Sequence, residues 1–269
     1  MTETTLALRG HAMAHRLLLP DRLRGDGKKH KMLIPFITAG YPDKKRCLDL
    51  LKACAAGGAD RIELGIPFSD PLADGPVIQA TSHKALTGGV TTDDAFRMAE
   101  SFRAAPLLFM TYINPVLQYG AGRFFARAAM AGLEGVILPD VPPEEADPVI
   151  AHSEKTGLPI VFLISPTCTD DRIRKIDALT RSWIYLVSLK GVTGAKIKSD
   201  VAAFVRRVRR FTKHPLHVGF GISTPEDARR VASTADGIIV GSALLKIVEK
   251  GGSAKDVERF IASLRKAID

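Results

Sequence analysis

The chain has 269 residues, with 38 Lys and Arg against 29 Asp and Glu, for a formal net charge of +9. Apolar residues make up 46% and charged residues 25%, which excludes a disordered chain; a chain this long buries roughly three quarters of its unfolded surface and needs no disulfide staple or structural metal. No apolar run reaches the ~18 residues of a membrane span, Leu17-Leu18-Leu19 stops at Pro20-Asp21 too early for a secretory signal, and Cys47, Cys54 and Cys168 lack metal spacing and suit a reducing, cytoplasmic setting.

Residues 1–30 precede the first strand signal. Leu6, Leu8, Met13, Leu17 and Leu18 predict a helical extension that caps one end of the domain, followed by a polar stretch from Arg22 to Lys31. His11 and His15 have the i, i+4 spacing of metal ligands, but no third ligand is near, and a surface pair is the simpler reading. Short runs rich in Val, Ile, Leu, Phe and Tyr then recur at Leu33–Thr38, Arg61–Ile66, Leu107–Tyr112, Gly135–Leu138, Ile160–Ile164, Trp183–Ser188, Leu216–Gly219 and Gly237–Val240. Helical patterns separate them. Thr91-Thr92-Asp93-Asp94 opens one by capping, and Ser223-Thr224-Pro225-Glu226-Asp227 opens another with a cap, a proline and two acids. The arginines of Phe204–Phe211 alternate with apolar residues at helical spacing, so the densest basic stretch reads as a solvated helix face and not as a nucleic-acid site.

Strand then helix, about eight times in one unbroken stretch, has two main solutions: an open doubly wound sheet and a closed (β/α)8 TIM barrel. Count and length favour the barrel. The expected organisation is an α/β chain with an N-terminal extension over 1–30 and a single barrel domain over 31–269.

In such a barrel the chemistry sits at the C-terminal ends of the strands. In Asp60-Arg61-Ile62-Glu63-Leu64-Gly65-Ile66, alternation places Ile62, Leu64 and Ile66 under the helices and aims Glu63 and Gly65 into the barrel. A carboxylate there is costly unless it is paired or used, and a salt bridge to a neighbouring strand is the plain alternative. The loop Pro67–Pro76 carries two aspartates, Asp70 and Asp74, among three prolines that stiffen it; a rigid turn with the aspartates capping the next helix would also explain it. After strands seven and eight come Gly219-Phe220-Gly221-Ile222-Ser223 and Val240-Gly241-Ser242-Ala243. Bare backbone and a helix starting near Ser242 suit a phosphate at the place where barrels bind one, and Gly191-Val192-Thr193-Gly194 is placed to close over it. Lys190 follows strand six, where a Schiff-base lysine would sit, but its parity is opposite to that of Tyr185.

The block Glu63-Leu64-Gly65-Ile66-Pro67-Phe68-Ser69-Asp70-Pro71-Leu72-Ala73-Asp74-Gly75-Pro76 resembles the signature of tryptophan synthase alpha subunits. Three segments agree in order and spacing: Pro35–Pro42, Gly191–Gly194 and Gly219–Ser223. The resemblance runs from about Lys31 to the C-terminus. It implies a barrel lyase that cleaves indole-3-glycerol phosphate to indole and glyceraldehyde 3-phosphate, with no metal or organic cofactor of its own. It assigns Glu63 as general acid/base, Asp74 as the second catalytic carboxylate and Tyr185 as an active-site tyrosine. Phe36, Met110, Ile137 and Phe220 would line the indole pocket, and Thr193, Gly194, Gly221, Gly241 and Ser242 the phosphate site. It also implies a pyridoxal-phosphate beta subunit as partner in an alpha2beta2 complex, contacted through Pro67–Pro76 and the Asn114-Pro115 region. Two substitutions depart from the family pattern: Leu189 stands where family members carry Arg in a lid loop, and Met110 replaces a Leu. The stretch before strand one is also longer than usual.

The reaction makes matching demands. The retro-aldol step needs a proton at indole C3 and the loss of one from the side-chain hydroxyl, and one carboxyl raised by an apolar surrounding can serve both. A second carboxylate at the indole N–H steadies the positive charge that builds there. Two rival readings keep the same site: a free-standing lyase that releases indole, and a ligand-binding regulator of the beta subunit with little turnover.

Overall fold

The computed structural model describes residues 30–187 and 195–269. The predicted helical extension, with His11 and His15, lies outside the described residues apart from His30, and so do Leu189, Lys190 and residues 191–194. Eight strands are present: β1 (Met32–Thr38), β2 (Ile62–Gly65), β3 (Leu107–Met110), β4 (Val136–Ile137), β5 (Ile160–Ile164), β6 (Ile184–Leu186), β7 (Leu216–Val218) and β8 (Gly237–Val240). Each pairs in parallel with the next, and β8 returns to β1 to close the barrel. The regular strands are shorter than most of the apolar runs that predict them. Single ladder bonds continue past their ends, from Thr111 N–H to the Ile137 carbonyl at 3.1 Å and from Val187 N–H to the Ile164 carbonyl at 3.0 Å, as the chain turns out into the loops.

Eleven helices surround the barrel among the described residues: α1 (Lys44–Ala56), α2 (Pro76–Thr87), α3 (Thr92–Ser101), α4 (Ile113–Tyr119), α5 (Ala121–Met130), α6 (Asp147–Thr156), α7 (Asp170–Leu179), α8 (Ala195–Arg209), α9 (Pro225–Ala232), α10 (Ser242–Glu249) and α11 (Ala254–Ile268). The predicted starts hold. Thr91 and Asp94 form a reciprocal capping box, and Thr224 caps α9 with Pro225 at its first turn. Two helices, not one, follow each of β2, β3 and β8. The basic stretch falls on α8 as a surface face: Val201, Phe204, Val205 and Val208 are buried, while Arg207 pairs with Asp170 at 2.8 Å and Arg209 with Asp236. None of the helices among the described residues is long and apolar enough to cross a membrane.

Two cores result. The larger fills the space between strands and helices and takes Leu33, Ile37, Ile62, Leu64, Val136 and Phe162 from the outer face of the sheet. The smaller fills the barrel itself with Ile34, Leu108, Ile137, Val161, Trp183, Tyr185 and Ile239. Both faces of every strand are therefore dry, which is why the strands read as unbroken apolar runs. Cys47 and Cys54 belong to the outer core, where burial pushes the Cys47 thiol up to about 12.

Candidate active site

Strand β2 fixes Glu63. Its backbone lies in register with Phe36 of β1 on one side and Leu108 of β3 on the other, so its two inward-facing neighbours are apolar. The side chain is 0% exposed, and neither carboxylate oxygen has a hydrogen-bond partner among the described residues. Burial with no compensating charge among the described residues holds the carboxyl well above the usual carboxylate range and favours its protonated form. Among the described residues, the salt bridge that would have made Glu63 merely structural is not there. The cation just before its strand, Arg61, is engaged by Glu134 at 2.5 Å.

Tyr185 reaches the same space from β6, across the barrel. Its phenol is pushed well above its ordinary value, first by burial and then by the nearby charges of Glu63 and Asp74. Strands two and six are on opposite sides of the cylinder, so this influence can act only through the interior, and it brings the three groups predicted from the sequence together. Gly219, after β7, makes room for the tyrosine: a Cβ there would stand 2.4 Å from the Tyr185 Oη. Beneath, Trp183 stacks on Tyr185 at 5.8 Å and lies tilted against His217 at 4.5 Å, between ring centroids.

Asp74 comes from the β2–α2 loop and is 7% exposed. The loop is not a capping turn: the residue at the start of α2 is Gly75, with no side-chain cap. Instead the loop folds inward. Tyr112, at the end of β3, accepts a hydrogen bond from the Ala73 N–H through its hydroxyl at 3.1 Å and lies beside the Asp74 carboxylate. Burial first, and then the Asp74 charge, raise the Tyr112 phenol. Asp140, after β4, accepts the Ile113 N–H with both carboxylate oxygens at 3.1 Å and so anchors the backbone next to Tyr112. Tyr112 and Asp140 were not singled out from the sequence. Tyr112 shares the inward parity of Leu108 and Met110, the signal that would have found it.

The pocket residues adjoin these groups. Gly65 is in register with Met110, and Met110 with Ile137. Phe36 and Ile137 are buried, while Met110 and Phe220 are partly open. On the phosphate side, Gly221 has φ +69° and open space around it, a conformation that favours glycine. Ser223 donates from its N–H and hydroxyl to Asp227 at 3.2 and 2.9 Å, which holds this turn. Gly241 precedes α10, whose first residue, Ser242, is exposed. A Cβ on Gly241 would meet the Phe36 Cβ at 3.3 Å, so the start of α10 adjoins Phe36. Thr193 and Gly194 lie outside the described residues.

A sequence model of the family described as tryptophan synthase alpha chain matches residues 24–268. The chain belongs to that family. The tryptophan synthase alpha chain of Dehalococcoides mccartyi is 47% identical over 254 residues, 93% of this chain and 100% of that one. That of Geobacter sulfurreducens is 44% identical over 88% of this chain and 93% of its own. Among solved structures, the alpha chain from Legionella pneumophila superposes with a TM-score of 0.83 at 37% identity and covers 97% of both chains. A tryptophan synthase structure from Mycobacterium tuberculosis superposes with 0.84 at 32% identity, covering 98% of this chain and 97% of that one. The alpha-chain relationship thus extends over the whole barrel.

Proposed function

We propose that Glu63, Asp74 and Tyr185 carry out the reaction of tryptophan synthase alpha chains, the lyase cleavage of indole-3-glycerol phosphate in tryptophan biosynthesis. The observation that carries this reading is a fully buried Glu63 between two apolar strands, its carboxyl raised by burial, facing a tyrosine and a second carboxyl. In the forward direction Glu63 gives its proton to indole C3, and the ring becomes an indolenine-like cation. Asp74, held at the ring N–H, steadies that charge. The side-chain hydroxyl then loses its proton to the Glu63 carboxylate, the C3–carbon bond breaks, and its electron pair returns to the ring. The products are indole and glyceraldehyde 3-phosphate, with Glu63 again protonated. Raised by burial, the carboxyl is a competent acid near neutral pH; as the carboxylate it is a correspondingly stronger base. Tyr185 borders the ring from the opposite wall.

Phe36, Met110, Ile137 and Phe220 form the indole side, and Gly221, Gly241 and Ser242, with Thr193 and Gly194, the phosphate side. The positive end of α10 suits the dianion. The reaction asks for proton transfer alone, which side chains supply.

The reading extends to a beta-subunit partner, in an alpha2beta2 assembly working in the cytoplasm. Leu72 in the β2–α2 loop is 79% exposed and Leu117 on α4 is 52% exposed, and both belong to the segments that the family resemblance gives to this contact. Apolar side chains left on the surface suit burial by another subunit.

The deciding assay is turnover of indole-3-glycerol phosphate by wild type and by Glu63→Gln, with and without beta subunit. Glu63→Gln is expected to abolish turnover while a phosphate ligand still binds, because the shape is kept and the titrating group removed. Wild-type kinetics in that variant would refute the assignment. Asp74→Asn is expected to lose much of the rate. Activity that rises strongly with beta subunit supports the subunit role; full activity alone supports a free-standing lyase, and no turnover in either case a regulator.

A further inference from the structure

Gly65 lies two residues beyond Glu63 on the same inward face of β2. A Cβ on this glycine would stand 2.4 Å from the Phe36 Cζ and 2.6 Å from its Cε2, distances that real Cβ atoms essentially never show. The far end of the Phe36 ring therefore lies directly on the Gly65 backbone. On its other side lies the bare backbone of Gly241, where a Cβ would stand 3.3 Å from the Phe36 Cβ. β1 is flanked by β2 and β8, and each offers bare backbone at the level of this ring. Phe36 is also the cross-strand neighbour of Glu63. The ring thus spans the strand that carries the carboxyl, one position further toward the mouth of the barrel.

We propose that Gly65 is a positioning residue for the acid/base step: its bare backbone seats the Phe36 ring across β2, and that ring is the wall that keeps water from Glu63. Gly65 acts through Phe36. With a methyl at position 65 the ring must swing off the strand. The mouth side of Glu63 then opens, while the floor made by Leu108 stays in place. The other groups facing Glu63 do not compensate for the loss. β3 and β1 present only Leu108 and Phe36, β6 presents Tyr185, and the β2–α2 loop presents Asp74, so no cation in the described site offsets burial. Arg61, just before β2, is tied to Glu134. The exclusion of water is what holds the proton on Glu63.

The inference rests on the reading of Glu63 as the acid/base group, and its test is separate from turnover. The neutral-carboxyl infrared band that Glu63→Gln removes is titrated in wild type, Gly65→Ala, Phe36→Leu and the double variant. In Gly65→Ala the midpoint of that band is expected to fall by about one unit or more, with kcat down about tenfold and KM changed less. Phe36→Leu, which leaves the strand untouched and serves should Gly65→Ala fold poorly, is expected to shift the midpoint in the same direction. In the double variant the smaller side chain and the added methyl share the space. Its midpoint is expected closer to wild type than the sum of the two single shifts. An unchanged midpoint in both single variants, or strictly additive shifts, would overturn the proposal. If the midpoint moves as expected but Glu63→Gln turns over normally, the assignment of Glu63 fails and the seating of Phe36 by Gly65 stands.

Discussion

His217 provides the most quantitative test of how the barrel floor is built. The ring is 1% exposed, and neither nitrogen has a hydrogen-bond partner among the described residues. It packs against Trp183, and the space beside it is closed by Gly237, where a Cβ would lie 2.8 Å from the His217 Cδ2. Burial first, and then the positive charges of Arg61 and Arg209, lower its pKa from 6.5 to about 3. Below 6.5 the unfolded chain takes up a proton that the native protein refuses, so stability falls as the pH drops and goes on falling until about 3. Each unit below the unfolded value costs about 1.4 kcal/mol, so between about pH 7.5 and about pH 5 this one residue removes about 2 kcal/mol. His217→Leu, close in volume and without a titrating group, removes that dependence. Urea unfolding of both proteins at the two pH values reads the difference, because every other titrating group is common to both. The wild type is expected to lose about 2 kcal/mol more than the variant on acidification. Equal pH sensitivity in the two would show that His217 is hydrated or protonated in the native barrel and would refute the argument.

Three further outcomes follow from the same geometry. Glu63 holds its proton in the native state and releases it on unfolding above the ordinary carboxylate value of 4.5, so its stability contribution declines as pH rises from there toward the raised native value. Glu63→Gln is therefore expected to be more stable than wild type at neutral pH, by thermal melting, and a lower melting temperature would contradict the dry, unpaired carboxyl. Gly219→Ala places a methyl 2.4 Å from both the Tyr185 Cε1 and its Oη. Overpacking of this kind costs roughly 1–3 kcal/mol, and kcat is expected to drop as the phenol is displaced; wild-type kcat would show that the position of Tyr185 is immaterial. Tyr112→Phe takes the acceptor from the Ala73 N–H. Losing one such bond is worth about 1 kcal/mol, so kcat is expected to fall about fivefold with little change in melting temperature, and an unchanged kcat would show that the Asp74 loop keeps its place without Tyr112.

Much of the site was legible because a strand has a period of two. Parity alone sent Glu63 and Gly65 inward and Ile62, Leu64 and Ile66 outward, and the two cores divide along that line. The glycine turns after β7 and β8 were legible because glycine and a helix start have local signatures, and α9 and α10 begin where the sequence reading puts them. Tyr112 and Asp140 were not legible: each matters through a residue of another strand–helix unit, Ala73 in one case and Ile113 in the other. The sequence aims Gly65 inward and places Gly219 in a glycine turn, but it does not show that an aromatic ring rests on either. Their significance lies in the aromatic rings that rest on them, and those rings come from β1 and β6.

The amino-acid order by itself determined the eightfold alternation and the inward direction of Glu63, because periodicity and residue type act over a few bonds. Only the closed barrel decided that Glu63, Asp74 and Tyr185 share one dry space. It also decided that Phe36 and Leu108 are what surround the carboxyl. The physical reason is that desolvation and packing depend on everything within a few ångströms, and in a (β/α)8 cylinder those neighbours come from strands far apart in the chain.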